Sequence, residues 1–213
     1  MPPIKGQKNR SYKKGEPFRD ARKFILICEG ERESNYFNYF DKKSQKLIIK
    51  TIAPLDEYRG ESAPNHLKNR ASEYIEKYGW DEDFEDQLWF ILDVDSWKRE
   101  SIEELNHLTK VTSNWFLAIS NQCFEVWLYY HKSKQKVFPN NSAHMKQLLN
   151  QQVKGGYNLE VYAPNIAIAT DNAERIDENK EGHFPDIGVT KLYLLGKEIV
   201  SLLQYEDGKL KLV

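Results

Sequence analysis

Four short apolar runs, each followed by a segment with helical spacing, constrain the fold of this chain more than any other feature. The runs cover residues 24–28, 47–53, 88–92 and 115–119. Their length and largely apolar character are typical of strands buried on both faces. Apolar side chains three or four residues apart predict the helices that follow them, over 33–42, 64–78, 102–108 and 124–130. This alternation predicts βαβ units and therefore an α/β fold, with a mainly parallel sheet flanked by helices.

Composition and pattern divide the chain into three parts. Residues 1–23 form a basic arm, which we expect to be flexible. Its Lys and Arg side chains face only Glu16 and Asp20, and they are Lys5, Lys8, Arg10, Lys13, Lys14, Arg19, Arg22 and Lys23. The arm serves either as a solvated tail or as a contact for phosphates. Residues 24–131 are the predicted α/β core. Residues 132–213 are a mainly helical part packing on that core, with helices predicted over 142–151, 163–179 and 190–203.

Overall composition excludes several classes of protein. Lys and Arg total 31 against 32 Asp and Glu, for a net charge of −1. This excludes a uniformly basic nucleic-acid coat but leaves room for a locally basic groove. Hydrophobic residues make up 40% of the chain and aromatic residues 13%, which is too many for a disordered protein. No apolar run approaches the ~20 residues that span a bilayer, so we expect a soluble, cytoplasmic protein with no membrane contact.

Acidic side chains follow three of the four predicted strands. Glu29 comes directly after the first strand, Asp93 and Asp95 end the third, and the fourth leads through 120–121 to Glu125. Ligands of open α/β sheets bind outside the carboxyl ends of the strands, so these carboxylates are candidates for one site. If extended geometry continues past the third strand, Asp93 and Asp95 point to the same side. Clustered carboxylates repel one another and favour a cation such as Mg²⁺, which can support phosphodiester chemistry.

Simpler interpretations of the same acids stay open. Asp95 has the position of an N-cap before a helix, and a Glu29–Gly30 pair after a strand often forms only a turn. Other chemistries lack their residues, because the chain has no P-loop or Gly-x-Gly-x-x-Gly motif and no His-x-x-x-His pair. Cys28 and Cys123 are the two cysteines and are too few for a disulfide framework or a zinc site. We interpret both as buried thiols.

Three segments of the sequence resemble the bacterial RloB family. They are residues 25–37, with the letters ILICEGERESNYF, residues 90–97, with FILDVDSW, and residues 120–128, with SNQCFEVWL. The resemblance extends over about residues 24–203. Members of this family are Toprim-related proteins encoded near restriction–modification and abortive-infection genes, often beside an RloA-type ATPase. The resemblance implies a Toprim-like, Rossmann-like core.

The resemblance also implies which acids form the site. Glu29 matches the glutamate after the first Toprim strand, and Asp93 and Asp95 match the Asp-x-Asp after the third; together these hold Mg²⁺ or Mn²⁺. Glu125 is similar to a further acid that Toprim nucleases carry on a later helix, so we include it among the catalytic candidates. Glu31 and Glu33 occupy signature positions whose role is less defined. The chain departs from many relatives by having Ser34 and Gln122 where proline is expected, which leaves the acids intact.

These implications lead to two main functional hypotheses, and a nucleic-acid sensor that uses the N-terminal arm is a third. The first is a Mg²⁺-dependent nuclease acting on DNA or RNA in anti-phage defence, together with an RloA-type ATPase partner. Topoisomerase or primase activity would need modules for which the chain has little room. The second is a non-catalytic metal- or nucleotide-binding regulatory subunit of a defence complex. Lys98, Arg99 and Arg32 lie near the predicted site in sequence and are secondary candidates for phosphate contacts. A homo-oligomer is compatible with either hypothesis.

Overall fold

A five-stranded sheet forms the centre of the protein. The structure is a computed structural model, and it describes residues 21–53, 64–79, 85–153, 156–203, 205–206 and 209–210. The strands are β1 (Arg22–Cys28), β2 (Leu47–Ile52), β3 (Gln87–Asp93), β4 (Trp115–Asn121) and β5 (Val189–Thr190). They are arranged in the order β2-β1-β3-β4-β5. The first four are parallel and β5 is antiparallel to β4.

Helices connect the strands and continue beyond them. The described α-helices are α1 (Glu31–Asn38), α2 (Pro64–Tyr78), α3 (Arg99–Val111), α4 (Glu125–Tyr130), α5 (Ser142–Gln152), α6 (Leu159–Tyr162), α7 (Ile166–Ile176) and α8 (Leu192–Leu202). Single 3-10 turns cover Val94–Ser96 and Ala163–Asn165. A small antiparallel pair, β6 (Tyr205–Glu206) and β7 (Lys209–Leu210), follows α8. None of the described helices is long and apolar enough to cross a membrane.

Strands β1 and β3 are buried on both faces, which explains their continuous apolar sequence. Leu26 and Trp89 belong to a large core cluster shared with α1, α4 and the C-terminal helices. Ile25, whose side chain points the other way, packs in a second cluster with Leu67 of α2 and Leu105 of α3. Successive side chains of a strand point to opposite faces, so an apolar residue is required at every position.

The C-terminal helices share the larger of the two cores. α4 contacts α5 and α7, while α8 contacts both α7 and β4. Ile166 of α7 and Ile199 of α8 are fully buried in the same cluster as Trp127 of α4. The predicted domain boundary after residue 131 stays a prediction. What the structure adds is that β5, a strand of the central sheet, comes from the C-terminal part.

The predicted fold class is confirmed: the sheet is mainly parallel, helices cover both its faces, and further helices follow. Differences lie in the details. α1 ends at Asn38, earlier than predicted, and β5 was not expected because two residues carry no strand signal. Extended geometry does not continue past β3, since Asp95 lies in the 3-10 turn Val94–Ser96. Asp95 is also not the N-cap of α3, a position that Lys98 occupies.

Residues 1–20 of the predicted basic arm lie outside the described part of the chain. The last two basic residues assigned to the arm belong to β1 instead. Arg22 donates a hydrogen bond of 2.9 Å to Glu198 and also pairs with Glu85. The ammonium group of Lys23 lies 3.7 Å from a carboxylate oxygen of Asp86. These two cations therefore stabilise the sheet.

Candidate functional site

The predicted acids surround the point where the strand order of the sheet reverses. The chain passes from β1 to β2 on one side and then returns to β3 on the other, so the carboxyl ends of β1 and β3 border a crevice. Such a switch point is where open α/β sheets bind ligands. Glu29 directly follows β1 and Asp93 is the last residue of β3. The fold thus brings together the acids that follow the first and third strands.

Glu29 bridges the ends of the two strands through a single carboxylate oxygen. Its Oε2 accepts a hydrogen bond of 3.0 Å from the backbone N–H of Asp93. The same oxygen accepts a bond of 2.8 Å from the indole N–H of Trp97. Both donors fix the orientation of the carboxylate toward β3. Trp97 is thus a residue of the site, and sequence reasoning had assigned it no specific role.

The carboxyl group of Asp93 has a perturbed pKa. Burial is the main cause that raises its pKa well above the ordinary value of 3.8, and repulsion from Glu33, Glu29 and Asp95 raises it further. The backbone N–H of Phe124 acts in the opposite direction by hydrogen bonding to the carboxylate. The pKa of this side chain is therefore raised first by its burial and then by the negative charge of the neighbouring acids.

Glu33 extends this cluster from the first turn of α1. Its side chain is only 7% exposed and folds back over Gly30, where an added Cβ would lie 2.8 Å from its Oε2. Burial raises the pKa of Glu33 to about 7, with further contributions from Glu29 and Glu125. A hydrogen bond from its own backbone N–H and the charge of Arg32 act against the rise. Glu33 is thus part of the acidic cluster, and the glycine before α1 leaves room for it.

Glu125 and Asp95 reach the site from other elements, and both have partners there. Glu125 is 5% exposed at the start of α4 and forms an ion pair with Arg32, whose guanidinium lies 5.8 Å from the ring centre of Tyr157. Asp95 is exposed and accepts a hydrogen bond from the hydroxyl of Ser142, at the beginning of α5. The structure therefore connects Asp95 to the C-terminal helices and Glu125 to α1.

The remaining predicted residues, Glu31, Lys98 and Arg99, are all exposed. Glu31 is exposed at the start of α1, where it lines a groove of about 520 Å³ with Arg32. Lys98 is exposed and precedes α3. Arg99 pairs with Glu103 at 3.7 Å and lies 4.6 Å from the ring centre of Phe184. The described contacts of Arg99 therefore point away from the acidic cluster.

A cation that the sequence did not reveal lies beside Glu29. Arg70, in the middle of α2, donates hydrogen bonds from Nη1 to the carbonyl oxygens of Cys28 at 3.2 Å and Ile52 at 3.3 Å. These residues end β1 and β2. An arginine in a polar helix gives no signal in the sequence, because its partners are carbonyl groups far away along the chain.

The chemistry of these side chains fits a hard divalent cation. Carboxylate oxygens are the ligands that Mg²⁺ and Mn²⁺ prefer, and a positive charge would relieve the repulsion that raises the pKa of Asp93. Within the described residues, however, no three His, Cys, Asp or Glu side chains are grouped so that they could hold a metal ion. Binding would thus require side chains such as Glu29 and Glu125 to exchange their present partners.

One comparison with known proteins identifies the family. The model of a family described as RloB-like protein matches residues 24–199, which is most of the chain and includes all the acidic candidates. No curated protein and no solved structure matches significantly. The resemblance drawn from the three sequence segments is confirmed by this match. On these grounds, the chain belongs to the RloB-like protein family.

Proposed function

We propose that this protein is a Mg²⁺-dependent nuclease that hydrolyses phosphodiester bonds of DNA or RNA. The observation that carries the proposal is the meeting of Glu29, Glu33, Asp93 and Glu125 at the switch point of the sheet, with the pKa values of Glu33 and Asp93 raised by burial and mutual repulsion. Such an excess of carboxylates is suited to a divalent cation and a phosphate, and poorly suited to a phosphate alone.

Four of the acids have a direct role in this proposal. Glu29, Asp93 and Asp95 would hold Mg²⁺ or Mn²⁺, which supplies Lewis-acid stabilisation of the phosphate and activation of water. Glu125 would orient water or assist a second ion once it is released from Arg32. Trp97 positions Glu29 through its indole N–H. Hydrolysis is the simplest of the phosphodiester reactions that such a site supports, because water is the only nucleophile it requires.

Replacing Asp93 with asparagine tests the proposal. We expect Asp93→Asn to abolish Mg²⁺-dependent cleavage of DNA and RNA substrates while leaving the melting temperature nearly unchanged. The fold already disfavours the charged form of this side chain, so a neutral amide fits the same place. Asp171→Asn is the matched control, because Asp171 is exposed on α7 and the change removes the same charge. Full activity of Asp93→Asn on a purified substrate would refute the assignment.

The cellular role we propose is anti-phage defence together with an RloA-type ATPase. Two points support this role. The chain belongs to the RloB-like family, and the resemblance to that family implies a gene neighbourhood with such an ATPase. Co-expression of the chain with such an ATPase should give a complex that is stable during size-exclusion chromatography. Phage protection in cells should require both proteins and should be lost in Asp93→Asn.

A second candidate function is a regulatory subunit that binds a metal or nucleotide without turnover. The favouring observation is that no three ligand side chains are preassembled in the described residues, since Glu125 is paired with Arg32 and Glu29 with two N–H groups. Titration calorimetry with Mn²⁺ distinguishes the two functions when it is combined with cleavage assays on DNA, RNA and transfer RNA. Metal binding that depends on Asp93, without cleavage of any substrate, supports the subunit.

A further inference from the structure

Arg70 is held rigidly at the edge of the acidic site. Its Nη1 carries two hydrogens, and the carbonyl oxygens of Cys28 and Ile52 accept one each, at 3.2 and 3.3 Å. Those carbonyls belong to neighbouring parallel strands, in which Ile27 and Ile52 are paired. The neighbours of Arg70 on α2, Leu67 and Ala71, are buried against the sheet and fix the helix that carries it. The guanidinium therefore has one preferred position.

The rest of the guanidinium is available to a ligand. Nε and Nη2 of Arg70 donate no hydrogen bond to any described residue. Neither atom is among the buried polar atoms that lack a partner, so both are accessible. A guanidinium that uses one nitrogen for anchoring can still present its other N–H groups to the oxygens of a phosphate.

Among the described residues, the charge of Arg70 has no counterion of its own. No carboxylate in that part of the chain lies within ion-pair distance of it, although partly buried cations are normally paired. The nearest acid along the backbone is Glu29, which follows the carbonyl that Arg70 binds. Attraction to Glu29 acts against the lowering of the Arg70 pKa by burial. Arg32, the other arginine at the rim, is already paired with Glu125.

We propose that Arg70 binds a phosphate of the nucleic-acid strand, on the β2 side of Glu29, and holds it beside the carboxylates. The inference rests on the proposed nuclease function, and it assigns the anion contact that the acidic cluster cannot provide. Arg70 replaces Lys98 and Arg99 in this role, because those side chains are exposed and Arg99 is engaged with Glu103 and Phe184.

The test measures binding of fluorescein-labelled single-stranded DNA and RNA with Ca²⁺ present, over a range of KCl concentrations. Removing one phosphate contact lowers the slope of log Kd against log[KCl] by about 0.7 for a single strand. We expect this change in Arg70→Gln, together with a loss of cleavage rate of about tenfold or more in Mg²⁺. A purely structural role would lower the melting temperature without changing the slope.

Lys68→Gln is the matched control, since Lys68 is exposed on the same helix and the change removes the same charge. Its slope and cleavage rate should equal those of the wild type. An unchanged slope in folded Arg70→Gln overturns the inference about Arg70 and leaves the nuclease proposal standing. If the wild-type protein binds neither the labelled DNA nor the labelled RNA, the inference about Arg70 and the nuclease proposal are both overturned. If Arg70→Gln does not fold, Arg70→Lys decides: it keeps the charge but has a single nitrogen in place of the planar guanidinium, so two carbonyls and a phosphate must share one ammonium group. Full cleavage activity of Arg70→Lys refutes the inference.

Discussion

At the scale of single residues, His131 shows how the core controls a titratable group. Its ring is 2% exposed, with Nδ1 lying 3.0 Å from the carbonyl oxygen of Trp127. A carbonyl only accepts, so Nδ1 carries the proton and Nε2 accepts the bond of 2.7 Å from the hydroxyl of Tyr36. Burial lowers the pKa of His131 from 6.5 to about 3. The folded protein therefore requires the neutral ring.

This requirement predicts a loss of stability in acid. The unfolded chain binds a proton at His131 below about pH 6.5 and the folded chain only near pH 3, so the free energy of unfolding falls as pH decreases through that window. Between pH 7 and pH 5 the loss from this residue is about 2 kcal/mol. Urea unfolding at both pH values should show that His131→Gln loses less stability than the wild type by this amount. His107→Gln, on the exposed face of α3, should behave like the wild type; equal losses in all three proteins would contradict the prediction.

The site could be predicted from the sequence only where a residue's place follows from its strand. Glu29 and Asp93 are such residues, because the carboxyl ends of parallel strands share one edge of the sheet. Arg70 and Trp97 could not be found, since their partners are a pair of carbonyls and a carboxylate distant in sequence. The condition under which Asp93 and Asp95 point to the same side, extended geometry past β3, is not met, because the backbone turns there.

At the scale of elements, a buried ion pair links the segment between β5 and α8 to the C-terminal end of α7. Lys191, between β5 and α8, is 1% exposed and pairs with Asp177, the residue directly after α7. The hydroxyl of Tyr193 donates a bond of 2.8 Å to the same carboxylate. The ammonium group also donates to the carbonyl oxygen of Asn179. A two-residue strand is thus held in the sheet by charge as well as by its backbone bonds.

Breaking this pair on one side should be costly. Lys191→Met leaves the carboxylate of Asp177 buried without its cation, for which we expect a loss of about 3 kcal/mol in the free energy of unfolding, measured in urea. Lys197→Met, on the following helix α8, is the control: its pair with Glu174 is partly exposed, and the loss should be below about 1 kcal/mol. The double variant Lys191→Met/Asp177→Asn should recover part of the loss. Equal, small losses for Lys191 and Lys197 would show that the buried pair does not stabilise β5.

Most elements of the sheet could be predicted because β1 to β4 each have a run of apolar residues long enough to be distinctive. β5 has only Val189 and Thr190, and its existence depends on pairing with Ser120 and Asn121 of β4. A strand this short is specified by tertiary contacts rather than by its own sequence. The observed helix ends differ from the predicted ones by a few residues for a related reason, because helix ends depend on local backbone hydrogen bonds.

At the scale of the whole molecule, the net charge of −1 is an average of unlike parts. Acids gather at the carboxyl ends of β1 and β3 and on the adjoining first turns of α1 and α4. Basic residues are concentrated at the N-terminus, where six Lys and Arg side chains fall within residues 2–20. The basic segment would attract a polyanion such as a nucleic acid, and the acidic cluster would repel it.

Deleting residues 2–20 should separate the contribution of the basic segment to nucleic-acid binding from that of the rest of the protein. If the segment binds phosphates, the truncated protein binds labelled single-stranded nucleic acid with a smaller slope of log Kd against log[KCl], by up to about 0.7 for each phosphate that the segment neutralises. Arg22 and Lys23, which pair within the fold, are retained in the truncated protein. Identical slopes for the two proteins would leave the segment as a solvated tail.

The hydrogen bond from the backbone amide of Asp93 to Glu29 has a consequence for how binding of a ligand could be detected. Backbone pairing of β1 with β3 ends at Cys28 and Ile91, and the Glu29 carboxylate adds one more rung beyond it. A ligand that draws this carboxylate away opens that rung and releases the indole N–H of Trp97 in the same event. Under the proposed function, loading of the site would be coupled to the loss of these two bonds, and the fluorescence of Trp97 would report it.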